Sequence, residues 1–587
     1  MASTTALFTG LSGLQAHSPK LNVIGNNIAN VNTTAFKSSR MLFSTQFSRT
    51  FSEGTPPGQS TGGSNPVQIG LGVNGAGTQR DFSTGSITPT GDPSHLAIEG
   101  GGFFIVESQN ERFYTRAGAF STNAQNELVT VGGERVQGYG VDANFNIVQG
   151  TLAELTIPPG TLSITEATRN VRFAGNLNSG GATATRGSVS QLLGTSVNGL
   201  SVVAGASVPP TGSNLLESAS LLTEIEDPLL PGSGTALFTT GQQIRLTGAQ
   251  KGTSIVPDAT LSISAGTTVQ ELMDFLTQAL GIRTGTGPNP DGRTPGVSLN
   301  PATGVISING NTGTVSNLQV DTEHVTLIDS AGTFVRQPFI MNAVQQSDGE
   351  SVQSTFTLFD SLGTELTANI LMVLEGKSNA GTSWRYYVDS GDDSDLAIGV
   401  ATGLLDFDTN GQLLSSGLVS IQIDRAGTGA ASPLAVSLDF DDNSSPVTAF
   451  ADPQANSQIQ AVWSDGFAFG TLTTFGIGQD GGITGGFTNG LTRSLGQVVL
   501  ASFTNPEGLV DRGNNLFSPG ANSGLPVDAT PGTFGTGRLA AGALELSNVD
   551  LGREFIDMIL TSTGFTASSR VIRTADDLLQ QLLLLGR

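Results

Sequence analysis

The sequence predicts a mainly β protein with α-helical ends. Glycine is abundant, with 78 among 587 residues, and only 13% of the residues are charged, which favours strands and turns along most of the chain. At both ends, however, apolar residues recur at intervals of three and four, the spacing of one helix face. We therefore predict that the N- and C-terminal helices form a coiled-coil stem, with nested β-domains inserted between them.

The C-terminal helix is predicted to begin at Ser547, a good N-cap with Asp550 three residues later. No proline interrupts the following stretch, and a second apolar stripe one position away is typical of a seam that contains a stutter. The candidate assembly residues on this helix are Leu551, Phe555, Met558, Phe565, Ile572, Leu578 and Leu582.

The N-terminal helix is predicted over residues 1–31, and Pro19 predicts a kink or break near Ser18. Asparagine-rich turn chemistry is predicted to end the helix within residues 21–40. Two amphipathic helices at opposite ends suggest one antiparallel stem; the alternative is that each helix packs on a globular core of its own. The candidate assembly residues here are Leu7, Leu11, Leu14, Leu21, Ile24 and Ile28.

Between its ends the chain is predicted to pass outward through several domains and to return through them. Short alternating runs separated by Gly or Asn turns predict β-domains, and Thr268 to Leu280 is a helix candidate. Phe43, Phe47 and Phe51 are expected to dock a connector beside the stem. The predicted divisions are the stem (1–40 and 545–587), the connector (41–80 and 525–544), the inner β-domain (81–160 and 461–524), the second β-domain (161–195 and 341–460) and the outer inserted domain (196–340).

The composition restricts the kinds of partner. A formal charge of −23 argues against nucleic acid or an anionic membrane surface. No apolar run reaches the roughly 18 residues of a membrane span, so no membrane insertion is expected. The N-terminus has neither a basic segment nor a continuous apolar segment, so no cleaved secretory signal is predicted. Cysteine is absent, which suits an exported polymer as well as a cytosolic protein.

Short motifs that could indicate catalysis lack the structural context they need. Residues 70–75 match G-x-G-x-x-G and residues 58–62 match G-x-S-x-G, yet glycines and prolines follow both, where a helix is required. Gly376-Lys377-Ser378 has the tail of a P-loop without its first glycine. We therefore predict no enzyme activity, no cofactor and no metal centre.

One acidic segment leaves an alternative open. Residues 406–411 copy the start of an EF-hand loop, but the twelfth position is Gly417 rather than Glu. We interpret the segment as a β-turn, with a weak calcium site as the alternative.

The segment NNIANVNTTAFK (26–37) resembles the N-terminal signature of the bacterial flagellar axial proteins, the family of rod, hook and hook-associated subunits. Ala35 stands where the family usually has Gly, which predicts a slightly different turn. Residues 562–564 replace a Gln-Arg run of the family, which weakens helix propensity there. The signature residues that match are Asn26, Asn27, Asn30, Asn32, Phe36 and Lys37.

Segments farther along the chain are similar to the same family. Residues 82–106 and 113–120 resemble its shared β-domain. The segments similar to hook proteins in particular are residues 172–180, 359–363, 463–472, 495–524 and 542–555.

This resemblance implies a structural subunit of the flagellar hook that polymerises with itself into a curved, flexible tube and transmits motor torque to the filament. It also implies other axial proteins, the hook cap and the export apparatus as partners. The expected location is the extracellular hook, reached without a cleaved signal peptide. The alternatives are a distal rod subunit, a hook-associated junction protein or, from another class, a glycine-rich β adhesin or phage tail subunit.

Overall fold

The computed structural model of the chain describes residues 2–195, 198–207, 215–442 and 445–585. It divides into two compact units, one formed by Met1–Ser163 with Gly470–Arg587 and the other by Ile164–Phe469. The first unit carries a helix at each end of the chain, and strands dominate both units, which confirms the predicted fold class. Among the described residues, no helix combines the length and the apolar character needed to cross a membrane.

The first helix, α1, extends over Ala2–Ala29 and continues through Pro19 without a break. Proline removes one backbone donor, which leaves the carbonyl of Gln15 without its helical partner. Both residues lie on the exposed face, so water can bind that carbonyl. The helix ends at Ala29, inside the asparagine-rich segment where the sequence predicts its end, and a turn follows at residues 30–32.

The outgoing half of the first unit continues as a long hairpin (39–80) and then a set of sheet strands. In the hairpin, β1 pairs with β4 and β2 with β3, all antiparallel. The strands are β1 (Ser39–Thr45), β2 (Ser48–Ser52), β3 (Val67–Gly70), β4 (Val73–Arg80), β5 (Ile87–Pro89), β6 (Leu96–Glu99), β7 (Phe103–Ser108), β8 (Glu111–Thr115), β9 (Ser121–Thr122), β10 (Leu128–Val129), β11 (Arg135–Val141) and β12 (Ile147–Glu154).

The hairpin docks on α1 through polar and aromatic contacts. The backbone N–H of Val73 donates to Oγ of Ser12 at 3.2 Å. Of the three phenylalanines expected to dock it, Phe43 contacts His17 edge to face, with ring centroids 6.2 Å apart. Phe47 and Phe51 remain exposed.

The middle of the chain forms the second unit. Its elements are β13 (Ser163–Glu166), β14 (Asn170–Asn176), β15 (Gly187–Leu193), β16 (Gln243–Leu246), β17 (Gln250–Lys251), β18 (Ser254–Ile255), β19 (Ala259–Ser262), α2 (Val269–Ala279), β20 (Gly296–Asn300), β21 (Val305–Thr312), β22 (Leu318–Gln319), β23 (Val325–Ile328), β24 (Phe334–Arg336), β25 (Ile340–Gln345), β26 (Ser351–Phe359), β27 (Glu365–Ser378), β28 (Gly381–Ser390), β29 (Gly399–Phe407), β30 (Leu418–Ile423), β31 (Leu434–Asp439), β32 (Val447–Thr448) and β33 (Gln458–Ser464). Short 3-10 helices occur at Leu222–Glu224, Thr284–Thr286, Thr314–Ser316 and Thr322–His324.

Two hydrophobic cores occupy this unit. The first, which we call the outer core, surrounds α2 and extends from Leu192 to Phe339. The predicted helix is confirmed: Oγ1 of Thr268 accepts from the backbone N–H of Glu271 at 3.3 Å, which forms a capping box. Strands β15 and β25 join β20 and β21 in one sheet, so the outer core includes strands on both sides of 196–340.

The second core, which we call the second β-core, lies between two sheets. One sheet has the order β26-β27-β28-β29, and in the other β14 pairs with β31, β32 and β33. Strand β30 alternates exposed and buried residues, with Val419, Ile421 and Ile423 inside, as expected for a sheet with one covered face. Trp384 is fully buried in this core.

The returning half of the first unit completes the sheet begun by the outgoing half. Strand β36 pairs with β11, β37 with β7, and β39 with β8. In residues 525–544, which the sequence groups with the connector, Val527–Ala529 pairs with β37 in this sheet. Arg538–Ala541 pairs with β6, and Ala543–Glu545 pairs with β5, in two separate two-stranded sheets. The elements are β34 (Phe467–Ile477), β35 (Gly482–Phe487), β36 (Thr492–Val498), β37 (Leu500–Ser502), a 3-10 helix (Pro506–Gly508), β38 (Val510–Gly513), β39 (Leu516–Ser518), β40 (Val527–Ala529), β41 (Arg538–Ala541), β42 (Ala543–Glu545) and α3 (Leu551–Leu585).

Candidate assembly site

The terminal helices pack against each other and run antiparallel. Asn27, near the end of α1, donates from Nδ2 to Oε1 of Glu554, near the start of α3, at 3.0 Å. At the opposite end of the pair, Gly10 lies against Ile572. The end of α1 contacts the start of α3, and the start of α1 contacts a later part of α3. The two helices therefore form the antiparallel stem that the sequence predicts.

At the seam between the two helices, glycines of one helix face larger side chains of the other. A Cβ added to Gly10 would lie 2.8 Å from Cγ1 of Ile572, and one added to Gly564 would lie 2.8 Å from the His17 ring. Glycine therefore allows a close approach of the helices, whose separation depends on the side chains at the contact. The other small buried residues on the two helices are Ser12, Gly13, Ala16, Thr561 and Ala575.

The large apolar residues predicted on the stem lie mostly beside the seam or away from it. Spacing alone does not show which of two neighbouring apolar stripes on one helix faces the partner helix. Ile24 is buried, whereas Leu7, Leu14, Leu21, Ile28, Met558 and Ile572 are half-buried. Leu11, Leu551, Phe555, Phe565 and Leu578 are exposed, and the side chain of Leu582 lies outside the described part of the chain.

A further apolar surface on the helices was not singled out by the sequence analysis. Ile556, Ile559 and Leu560 are each more than 60% exposed, and Phe8 on α1 is 68% exposed. Residues spaced by three and four share one helix face, so 556, 559 and 560 form a continuous stripe. This spacing is readable in the sequence, but it competes there with the stripe of Phe555 and Met558.

The helix α3 begins four residues after the predicted cap. Oδ1 of Asp550 accepts from the backbone N–H of Gly552 at 2.9 Å and from that of Arg553 at 3.2 Å, so Asp550 is the N-cap. Ser547 lies outside the helix, where its Oγ accepts from the N–H of Val549. Asn548 joins the two chain ends, because its Oδ1 accepts from the N–H of Ser38 at 2.8 Å. Within the N-terminal segment, Oδ1 of Asn27 accepts from the N–H of Ser39 at 3.0 Å.

A buried charge cluster, which we call the root cluster, lies where the two chain ends meet the β-sheet. Nζ of Lys37 donates to Oε1 of Glu545 at 2.5 Å, and both side chains are fully buried. Arg116 completes the cluster, with Nη1 3.8 Å from Oε2 of Glu545. Burial lowers the pKa of both Lys37 and Arg116, and the nearby Glu545 carboxylate offsets this effect only in part. The carboxylate thus compensates two cations that would be costly to bury alone.

The other signature residues have distinct positions. Asn30 donates from Nδ2 to the carbonyl of Asn26 at 2.9 Å, and Asn32 is exposed. Phe36 is buried, and Ala35 adopts φ +55°. Ala35 therefore has the left-handed conformation that glycine favours, so the turn does not change to suit alanine.

The acidic loop 406–411 forms a β-turn. The backbone N–H of Gly411 donates to the carbonyl of Asp408 at 3.0 Å, and Oδ1 of Asp408 accepts from the N–H of Asn410 at 2.8 Å. In the described residues, no three His, Asp or Glu side chains are grouped as metal ligands would be.

Family models match four separate parts of the chain. A model described as Flagella basal body rod protein matches residues 7–37, and one described as Flagellar hook protein FlgE/F/G D1 domain matches 97–169. The Flagellar basal body protein FlaE D2 domain matches 328–467, and the Flagellar basal body rod FlgEFG protein C-terminal model matches 540–585.

Whole-length relatives are similar to this chain. The flagellar hook protein FlgE of Borreliella burgdorferi is 29% identical over 588 residues, covering 99% of both chains. That of Treponema pallidum is 29% identical over 589 residues, with the same coverage. A solved structure, flagellar hook protein FlgE2 of Helicobacter pylori, aligns with a TM-score of 0.39 and 16% identity over 78% of this chain and all of that one.

The paired terminal helices, the signature residues at their root and the matched rod and hook domains define a subunit of the flagellar axial structures. The whole-length similarity then specifies which one. The chain is a structural subunit of the bacterial flagellar hook, and its similarity to hook proteins named FlgE extends over its whole length.

Proposed function

We propose that the chain polymerises with itself through the exposed apolar faces of α1 and α3. The observation that carries this proposal is the stripe of Ile556, Ile559 and Leu560, each more than 60% exposed on a helix already paired with α1. Contiguous exposed apolar surface marks an interaction site. Because these three side chains are exposed beside the seam within one chain, they remain available to neighbouring copies.

The proposed product is a curved, flexible tube that transmits motor torque to the filament, with the paired helices lining its central channel. At its ends the tube would contact other axial proteins, and the hook cap and the export apparatus would act during assembly. The proposed location is the extracellular hook. The names of the relatives and the continuous exposed stripe on α3 support this proposal.

The test is the double variant Leu578→Lys with Leu582→Lys. Each leucine buried by a neighbour contributes roughly 1.5–3 kcal/mol, and a buried unpaired ammonium adds a further penalty. We expect negative-stain microscopy to show no tubes. The melting temperature of the monomer should stay within about 2 °C of the parent, since Leu578 is 56% exposed in the single chain.

The matched control is Gln580→Lys, which introduces the same charge at an exposed polar position of α3. This variant should still form tubes. Tubes formed by the double variant would contradict the proposal. A strong fall in the monomer melting temperature would also contradict it, because it would show that these leucines stabilise the single chain and not the contact between copies.

A further inference from the structure

A buried ion pair connects the two cores of the second unit. Nζ of Lys251, on β17 beside the outer core, donates to Oδ2 of Asp389, on β28 of the second β-core, at 2.7 Å. The same ammonium donates to the carbonyl of Gly281 at 2.8 Å. The side chains of Lys251 and Asp389 are only 6% and 10% exposed. A buried pair of this kind is strongly destabilised when one partner is removed.

The backbones of the two cores also approach closely. A Cβ added to Gly281 would lie 2.9 Å from Cγ1 of Ile398, and one added to Gly313 would lie 2.5 Å from Cγ2 of Val373. No side chain fits at either position without displacement of its neighbour. The outer core therefore contacts β27 and its surroundings directly and is not held only by the two chain connections.

An apolar cluster fills the same junction. Leu371, Val373 and Tyr387 lie on the face of β27 and β28 that is turned away from the second β-core, and Val315 packs against them. Burial raises the pKa of Tyr387 to about 12. At the edge of the junction, Oγ1 of Thr253 donates to Oε1 of Gln353 at 3.2 Å. A buried ion pair, closely approaching backbones and apolar packing therefore all occur at the junction between the two cores.

We propose that the outer core and the second β-core form one rigid arm, locked by the buried Lys251–Asp389 pair. The outer insertion then has a fixed orientation relative to the sheet β26-β27-β28-β29. A force applied to the outer core is transmitted to the second β-core without an intervening hinge. This inference concerns the single chain and does not depend on the proposed assembly contacts.

The test measures the distance between one spin label on each core in the dilute full-length chain. Because the chain contains no cysteine, Ser262→Cys on β19 and Ser420→Cys on β30 provide two unique exposed attachment sites. Double electron–electron resonance should give a single narrow distance distribution for the labelled parent. Asp389→Asn leaves Lys251 buried without its charge partner and should broaden the distribution at least twofold.

The matched control is Asp258→Asn, which removes an exposed ion pair of similar length, Arg245–Asp258 at 2.6 Å, within the outer core. Its distribution should remain as narrow as that of the parent. If Asp389→Asn does not fold, Lys251→Met with Asp389→Asn removes both charges of the pair and should broaden the distribution in the same way. A broad distribution in the parent overturns the proposal, as does a narrow one in the folded ion-pair variant.

Discussion

At the residue scale, Ala35 determines the turn between the stem and the hairpin. Its φ of +55° lies in the left-handed region, its side chain is 2% exposed, and its N–H donates to the carbonyl of Glu545 at 2.8 Å. An L-residue in this region costs about 1–2 kcal/mol. The turn thus stores strain that the contacts around Glu545 must offset.

We expect Ala35→Gly to change the free energy of unfolding by less than about 1 kcal/mol, because strain relief is offset by the larger entropy of an unfolded glycine chain. Ala35→Val should cost about 2 kcal/mol or more, since β-branched residues are outliers at this φ. Calorimetry on the monomer measures both. Ala29→Val, at an exposed position that ends α1, is the control. Equal melting temperatures for Ala35→Gly and Ala35→Val would contradict the strain argument.

The root cluster supports a second prediction at this scale. Lys37→Met leaves the Glu545 carboxylate with the hydrogen bond from the N–H of Gly85 and the longer contact to Arg116 but without its closest charge partner, so we expect a loss of about 3–5 kcal/mol in the free energy of unfolding of the first unit. Glu154→Gln is the control, because it removes the exposed Arg135–Glu154 pair at 2.6 Å and should cost less than about 1 kcal/mol. Chemical denaturation compares the two variants. If both variants lost the same free energy of unfolding, burial would not strengthen the Lys37–Glu545 pair.

At the element scale, α3 has little to hold it in a single chain. Its closest seam contacts are those of Ile572 with Gly10 and of Gly564 with His17. Other large side chains of α3, such as Phe555 and Ile559, are exposed. Residues 561–566 include Thr, Ser, Gly and Phe, which are weak helix formers. Ordering each residue costs about 1–2 kcal/mol of backbone entropy. Neighbouring copies would supply the apolar contacts that a single stem lacks, which couples folding to assembly.

We therefore expect the amides of α3 to exchange quickly in dilute monomer and at least a hundredfold more slowly in the polymer. The same should hold for α1, apart from the segment around Ser12 that contacts the hairpin. Hydrogen exchange measured by mass spectrometry follows both states. The buried strand β27 is the internal reference, since it should exchange slowly in both. Slow exchange across α3 in the monomer would contradict coupled folding.

At the scale of the whole molecule, local sequence signals predicted local elements. The cap and apolar spacing at Thr268 gave α2, and the three-four spacing gave α1 and α3. Local caps and apolar spacing could not predict the seam or the root cluster. Lys37 and Glu545 are 508 residues apart, and no periodicity connects them. The start of α3 was misplaced because Ser547 and Asp550 are both good caps, and the backbone that precedes the helix decides between them.

The same limit applies to the predicted outer inserted domain, 196–340. Its flanking strands β15 and β25 belong to the sheet of the outer core, and Lys251 within it pairs with Asp389 outside it. The predicted boundaries coincide with the loss of family resemblance in the sequence, whereas the packing continues across them. Removing the segment therefore does more than shorten a loop.

We predict that a chain in which a short linker replaces residues 196–340 still forms tubes, because the terminal helices carry the proposed assembly contacts and loop-closure entropy changes slowly with length. The second β-core should nevertheless lose stability. Leu371 and Val373, now 2% and 0% exposed, would be uncovered, at a cost of roughly 1.5–3 kcal/mol each.

The repaired deletion adds Leu371→Thr and Val373→Thr, which places β-formers with polar side chains on the uncovered face of β27. It should be more soluble than the simple deletion and should form tubes of normal length in negative-stain images. The matched control carries the two threonines in the full-length chain, where they face the apolar junction and should lower the melting temperature. If the repaired deletion folds but forms no tubes, residues 196–340 take part in assembly, and the terminal helices are not sufficient for it.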